Sequence, residues 1–334
     1  MNLVNVAVIG VGAFGRNHAR VYHQLAKEGE AVRLVGVVDP DVARADVVAQ
    51  EFGCRAFGSV EQLTNTYHEV QAASVAVPTA QHLEVARILM QAGIDVVIEK
   101  PLAASLPEAD ELVREAESLG RIAQVGHLER FNPAFRATLP LITKPMFFEV
   151  HRLSVFTPRS LDVDVVLDLM IHDLDVVLAF VNSPVTEIRA VGLPVLSQKV
   201  DIANVRLQFA SGCVANFTAS RVSTERVRKL RFFQPKQYIS LDYSRQDVMV
   251  FSVGEDGATS AQPTINPQIN VGKPPVTNEE PLRAELKSFL DCVRQRTTPL
   301  VSLVDGRRAL AVALDIVGAI EQHRNNVNLD KLEQ

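Results

Sequence analysis

Gly10, Gly12 and Gly15 form a G-x-G-x-x-G pattern directly after residues 6–9, a β-branched apolar run of the kind found in strands buried on both faces. The first glycine permits a tight turn, the second lets backbone approach a pyrophosphate, and the third lets a helix pack on the strand. A helix over residues 16–26 would aim its unpaired N–H groups at that phosphate. Residues 34–38 make a second apolar strand ending in Asp39, 24 residues past Gly15 and near the roughly 20-residue spacing of an acid that binds ribose hydroxyls. Strand, glycine turn, helix and acid together predict a dinucleotide site. The Asp39 carboxylate would repel a 2′-phosphate and Pro40 supplies no arginine after it, so NAD is expected over NADP. Arg16 and Arg44 are the two cations that could still reach such a phosphate.

Ile98-Glu99-Lys100-Pro101 closes another apolar strand. Ligands of open α/β sheets bind beyond the carboxyl ends of strands, which directs Lys100 toward the crevice of the glycine loop. Pro101 lacks an N–H and restricts the residue before it, so the strand ends there. A lysine in that place can hydrogen-bond a substrate hydroxyl and stabilise its oxygen as hydride leaves. The plain alternative is a solvated strand-end lysine. Asp168, His172 and Asp175 stand at i, i+4 and i+7 in a helix predicted over residues 163–181, and so share a face. Imidazole ordinarily titrates at about 6.5, which suits His172 to accept a proton beside a carboxylate. The neighbours at 165–167, 169–171 and 176–178 are nearly all apolar, so this polar stripe lies on a mostly buried helix.

Weaker candidates surround these. His127 and Arg130 follow the strand at 122–125 and could border a pocket, or could be surface charges on a helix turn. Arg152 and Arg159 flank Phe156-Thr157-Pro158 and could clamp an anion, because guanidinium binds phosphate oxygens bidentately; solvated arginines are the equal alternative. The run Arg226 to Arg231 alternates basic and apolar residues, the pattern of a charged strand face.

The elements that must position these residues follow two grammars. From residue 4 to about 125, apolar strands alternate with amphipathic helices through short connections, which predicts a doubly wound parallel α/β sheet over residues 1–125. Past Gly126, apart from the helix at 163–181, short alternating strands dominate, and Ser211-Gly212 reads as a hairpin turn. That predicts an α+β domain over residues 126–281, a mostly antiparallel sheet with helices on one face, so that the other face is left for another subunit to cover. Phe209, Phe217 and Phe233 are the residues expected on its open face. Residues 252–281, with five prolines, are expected to be a long loop. Helices at about 282–296 and 304–323, in a closing segment 282–334, are expected to pack back on the first domain.

Composition narrows the partners. The 334 residues carry 34 Lys+Arg against 39 Asp+Glu, and a net charge of −5 argues against general nucleic-acid binding. Cys54, Cys213 and Cys292 are scattered and odd in number, which points to buried thiols in a reducing compartment. No apolar run approaches the roughly 20 residues of a membrane span, and the first strand begins too early for a signal peptide, so a cytoplasmic protein without membrane partner is expected. The histidines and acids show no complete ligand set, so no metal is expected.

Gly10-Val11-Gly12-Ala13-Phe14-Gly15, Pro78 with His82, Glu99-Lys100-Pro101, and Asp168-x-x-x-His172-x-x-Asp175 occur in that order over nearly the whole chain. Together they resemble the glucose–fructose oxidoreductase / inositol dehydrogenase / MocA (Gfo/Idh/MocA) family of NAD(P)-dependent oxidoreductases. The resemblance implies a Rossmann domain, an open-faced C-terminal sheet that makes a homodimer or homotetramer, and catalysis by Lys100 with Asp168 and His172. It implies cofactor contacts from Gly10, Gly12, Ala13, Phe14, Gly15, Asp39, Pro78, Thr79, His82, Glu99 and Lys100. The chain departs from many members in having Asp164-Val165-Val166 in place of a Gly-rich run and Met170 in place of a glycine. These positions shape the sugar pocket and bear on substrate rather than chemistry.

Residues 126–133 and 164–173 are similar to the branch of that family that makes 3-keto UDP-sugars for aminosugar and lipid A synthesis. The expected reaction is therefore NAD-dependent oxidation of a sugar hydroxyl to a ketone, with UDP-N-acetylglucosamine oxidised at its 3-hydroxyl. His127, Arg130, Arg152, Arg159, Asp168 and His172 are the expected substrate contacts. Residues 126–250 hold 15 Lys+Arg against 12 Asp+Glu, a local surplus that favours an anion. A free polyol such as an inositol is the alternative substrate. A non-catalytic dinucleotide sensor is the alternative of another class; it predicts loss of the lysine or the histidine, and both are present.

Overall fold

The computed structural model describes residues 2–157, 163–253 and 269–326. It divides into two compact units: the chain through Phe131 with Glu280–Leu310, and Asn132–Glu279 with the residues from Ala311 onward.

In the first unit β1 (Val4–Ile9), α1 (Ala13–Lys27), β2 (Val32–Val38), α2 (Val42–Phe52), β3 (Arg55–Phe57), α3 (Val60–Thr66), β4 (Ala72–Val75), α4 (His82–Gln91), β5 (Asp95–Glu99), α5 (Leu106–Ser118) and β6 (Ala123–Gly126) follow one another. The strands lie in the order β3-β2-β1-β4-β5-β6, every neighbouring pair parallel. β1 and β5 are buried along their whole length, which is why their sequences are nearly unbroken apolar runs. The order reverses between β1 and β4, and at such a switch point the carboxyl ends of the strands open a crevice. Local signals start the helices. Asp41 accepts the Arg44 N–H at the head of α2, and Ser105 accepts the Glu108 N–H at the head of α5. Past Gly126 the chain stays with this unit through a 3-10 turn at Leu128–Phe131.

The second unit contains α6 (Pro133–Thr138), β7 (Phe147–Val155), a π-helical turn at Val166–Met170, α7 (Ile171–Val181), β8 (Val185–Leu193), β9 (Ile202–Phe209), β10 (Val214–Ser223), β11 (Val227–Gln234), β12 (Gln237–Asp242), β13 (Asp247–Val253) and β14 (Ile269–Gly272). Its sheet runs β14-β13-β12-β11-β7-β10-β9-β8 and is antiparallel except between β7 and β10. Phe148, Phe232, Phe180 of α7 and Phe135 of α6 stack on the helix-covered face. The next residues along the strands point the other way, and Phe147, Phe233, Tyr238 and Phe251 form a ladder across β7, β11, β12 and β13 with ring centroids 5.8, 4.9 and 5.2 Å apart.

Two expectations are corrected here. Phe209 and Phe217 lie on the covered face, each 1% exposed, because they share the parity of Ala203, Val205 and Leu207 in β9 and of Ala215 and Ala219 in β10. Of the three phenylalanines expected on the open face, only Phe233 is there. The stretch 252–281 is not wholly a loop: Ile269–Gly272 pairs with β13, using its own apolar alternation; residues 254–268 lie outside the described residues. The chain closes with α8 (Pro281–Gln295), whose Leu282, Leu286 and Phe289 join the core of the first unit, and α9 (Leu303–Asn326). Among the described residues no helix is long and apolar enough to cross a membrane.

Candidate active site

The glycine loop is shaped for a phosphate. Gly10 has φ +82°, and a Cβ there would stand 2.7 Å from the Ala76 carbonyl oxygen, while a Cβ on Gly15 would collide with the Gly10 carbonyl. Both must be glycine for α1 to sit against β1 and β4. Gly12 is different: a Cβ on it would meet nothing within 4 Å. It is also the N-cap of α1, and among the described residues no side-chain cap bond closes that helix start. Open space at an uncapped helix start fits a pyrophosphate, with Ala13 and Phe14 in the first turn. Phe14 is largely exposed, and its ring rests on that of His18.

Asp39 is buried at the end of β2, where its Oδ2 accepts the Val11 N–H and its Oδ1 the Asp41 N–H, both at 3.0 Å. This ties the acid to the glycine loop. The Arg44 guanidinium lies 3.3 Å from both Asp39 oxygens and 3.1 Å from Asp41, and Arg16 is bound to Glu51 at 2.7 and 2.9 Å. Both cations that could have met a 2′-phosphate are thus engaged by carboxylates. NAD is expected to bind at least about tenfold more tightly than NADP, a difference of roughly 1.4 kcal/mol. Titration of each cofactor against the protein's fluorescence checks this, and tighter NADP binding would refute it.

Lys100 follows the last residue of β5, is half-buried, and is joined to Pro101 by a cis peptide bond. Three neighbours fix this segment. The Glu99 Oε1 pairs with His18 Nε2 at 2.9 Å. Gly126 on β6 leaves Glu99 room, since a Cβ there would be 2.8 Å from Oε1. The buried His82 imidazole lies between the Val77 carbonyl (Nε2, 3.0 Å) and those of Pro101 and Leu102 (Nδ1, 3.0 and 3.2 Å). Burial pushes its pKa down, against the pull of those carbonyls. His82 therefore braces the Lys100 loop against the loop after β4, where Pro78 caps a 3-10 turn at Thr79–Gln81; the ring itself is committed to backbone. His127 is buried, and its pKa falls to about 3 through burial first and then the charges of Lys100 and Arg130. It stands beside the lysine as a neutral imidazole. Arg130 is buried, with its Nη2 donating to the Leu300 carbonyl at 3.2 Å.

In the second unit Asp168 lies in the π turn, closed by the Ile171 N–H reaching back to the Val166 carbonyl, and His172 lies in the first turn of α7. This corrects the single α-helix over 163–181. A π turn inserts one residue into the hydrogen-bonded ring, and such turns gather at functional sites. Asp168 and His172 are half-buried, while Asp175 is 2% exposed, so the stripe of three divides into two accessible groups and one core carboxyl. The entry to the turn is anchored. Asp164 accepts the Val200 N–H at 2.9 Å, and Arg221 donates to the carbonyls of Val163 and Val200 while pairing with Asp201 at 3.1 Å. Burial would raise the Asp201 carboxyl, but the N–H groups of Val195, Leu196 and Ser197 and the Ser197 hydroxyl outweigh it and hold it at about 2.

Arg152 does not offer itself to a ligand. It has the inward parity of Phe148 and Val150 on β7, is 3% exposed, and its Nε and Nη2 bind the two oxygens of Asp173 at 2.6 and 2.9 Å, with the guanidinium over Tyr243. Arg159 lies outside the described residues. His18, Asp173 and Glu285 are the residues sequence reasoning passed over. Glu285 had a signal, since it occupies the apolar phase of α8 beside Leu282, Leu286 and Phe289.

Comparison with known proteins matches this arrangement. Residues 4–127 fit the model of the GFO/IDH/MocA oxidoreductases described as an oxidoreductase family with an NAD-binding Rossmann fold, and residues 144–238 fit that of the GFO/IDH/MocA C-terminal domain. UDP-N-acetylglucosamine 3-dehydrogenase of Acidithiobacillus ferrooxidans is 35% identical over 319 residues, 95% of this chain and 97% of that protein. Its crystal structure superposes with a TM-score of 0.87 over 96% of this chain and 99% of the other. The NAD(+)-dependent scyllo-inositol 2-dehydrogenase of Bacillus subtilis is 25% identical over 97% of this chain and 95% of its own length.

Proposed function

Because the chain belongs to the GFO/IDH/MocA oxidoreductase family, with its NAD-binding Rossmann fold, we propose that it oxidises the 3-hydroxyl of UDP-N-acetylglucosamine to a ketone. The observation that carries this reading is the near full-length likeness to UDP-N-acetylglucosamine 3-dehydrogenase, 35% identical against 25% for the inositol enzyme. Gly12, Ala13, Phe14 and Asp39 would hold the dinucleotide, which when bound supplies the hydride acceptor. Lys100 donates a hydrogen bond to the reacting oxygen and stabilises the negative charge that grows on it. His172 takes the hydroxyl proton, and Asp168 orients the sugar and supplies a charge opposite in sign to that of the lysine. The neutral His127 borders the same lysine without competing as a second cation. With Arg152 committed to Asp173, the pyrophosphate falls to Arg159, and Arg159→Ala is expected to raise KM for the UDP-sugar by about tenfold while the NAD constant stays put. Sugar nucleotides and free polyols screened with NAD by NADH absorbance test the substrate. Turnover of an inositol with none of any UDP-sugar would overturn it.

The aromatic ladder supports a homodimer or homotetramer that covers the outer face of the second sheet. Phe233→Asp is expected to lower the mass measured by light scattering at micromolar concentration, and a monomeric wild-type protein would refute the assignment. We place the enzyme in the cytoplasm, where its three free thiols stay reduced.

A further inference from the structure

We propose that His18 is a positioning residue: by donating to Glu99 it fixes the end of β5 from the α1 side and so presents Lys100 to its ligand. This role rests on the catalytic reading of Lys100 above.

The contacts run without a gap. His18 is 0% exposed in α1, and its Nε2 lies 2.9 Å from Glu99 Oε1. An ionised carboxylate only accepts, so Nε2 carries the hydrogen and donates. Among the described residues no other donor reaches the Glu99 carboxylate, and His18 Nδ1 meets no partner. The imidazole thus makes one hydrogen bond, and that bond is to the residue before Lys100. The far side of the carboxylate is closed by β6. Glu99 pairs with Gly126 in register, and a Cβ on Gly126 would stand 2.8 Å from Oε1. One turn earlier on α1 the Phe14 ring, its centroid 5.5 Å from that of His18, backs the imidazole from the glycine-loop side.

Lys100 needs such support because the sheet gives it none. β5 pairs with β4 as far as Ile98 and with β6 as far as Glu99, and Lys100 lies past the end of both ladders. What holds it is the chain on either side. After the lysine, the carbonyls of Pro101 and Leu102 lie 3.0 and 3.2 Å from His82 Nδ1. Before it, the hold is that of His18 on Glu99. Two buried imidazoles bracket one half-buried lysine. Without the His18 donor, a buried carboxylate would lose its hydrogen bond and turn toward water, swinging the last laddered residue. Consecutive side chains of a strand leave on opposite sides, so a backbone rotation at Glu99 re-aims Lys100.

Full-length His18→Gln and His18→Asn separate reach from polarity. The glutamine amide nitrogen extends as far as Nε2 and can donate to Glu99, whereas the asparagine amide stops where Nδ1 stands. On whichever sugar the wild type oxidises, His18→Asn should lower kcat by about 10- to 100-fold with KM and the NAD dissociation constant little changed, and His18→Gln should restore most of it. Equal losses in both variants, or none in either, would defeat the positioning role. A second reading uses no sugar. With isotopically labelled methyl groups placed on the lysines, the NMR signal of Lys100 is identified by its loss in Lys100→Met. That signal should keep its wild-type position in His18→Gln and be displaced in His18→Asn. Glu99→Asp breaks the same bond from the strand side while keeping the charge, so it should displace the signal as well, and it stands in if His18→Asn does not fold. An unmoved Lys100 signal would overturn the proposal. A displaced signal in an enzyme that leaves every UDP-sugar untouched would support it and remove the substrate reading alone.

Discussion

Lys100→Met is expected to lower kcat by about 10²- to 10⁴-fold, the loss typical when a positioned proton donor or acceptor is removed, and His172→Ala is expected to do the same. Neither residue is fully buried, and neither replacement opens a core cavity, so both variants should fold and melt within a few degrees of wild type. Their effects on cofactor binding should differ. His172 belongs to the second unit and Asp39 and the glycine loop to the first, so the NAD dissociation constant of His172→Ala should match wild type. Lys100→Met can weaken it modestly, because the residue ends the strand beside the crevice. Steady-state kinetics with a fluorescence titration of NAD check both statements. Normal turnover in either variant would remove that residue from the mechanism.

Arg152→Ala is expected to cost stability on a scale unlike that of a surface arginine. Its guanidinium and the Asp173 carboxylate are both about 3% exposed and bound through two hydrogen bonds, and removing one member leaves the other charged and buried. Breaking such a pair typically costs about 3–5 kcal/mol, against about 0–1 kcal/mol for an exposed pair. Asp173 adjoins His172 on α7, so kcat should fall with stability. Replacing both partners together, Arg152→Met with Asp173→Leu, should recover much of the stability because no charge is left stranded. Urea midpoints for the two variants and the wild type test this. A stable Arg152→Ala with only a raised KM for the UDP-sugar would instead make Arg152 the anion clamp its residue type first suggested.

The parts of the molecule legible in the sequence were those written locally. Residues 6–15 carry strand, turn and helix start within ten positions, and Glu99-Lys100-Pro101 carries a strand end in three. Strand parity is also written in the sequence, residue by residue. Arg152 shares the inward phase of Phe148 and Val150, which says that it is buried and must have a partner. The same count puts Phe209 and Phe217 inside and Phe233 outside. The identity of partners was not legible. Arg152 finds Asp173 across 21 residues and His18 finds Glu99 across 81, and no periodicity encodes such a meeting. Nor does a hydrophobic pattern separate a π turn from an α-helix over five residues, since the two differ by one hydrogen-bond register.

Hydrogen transfer from a labelled sugar tests the central claim most directly. With UDP-N-acetylglucosamine deuterated at C3 and NAD, the reduced cofactor should carry the deuterium, and the sugar should emerge as the 3-ketone. Reduced cofactor without deuterium, or no reduction at all while a free polyol is oxidised, would contradict the account.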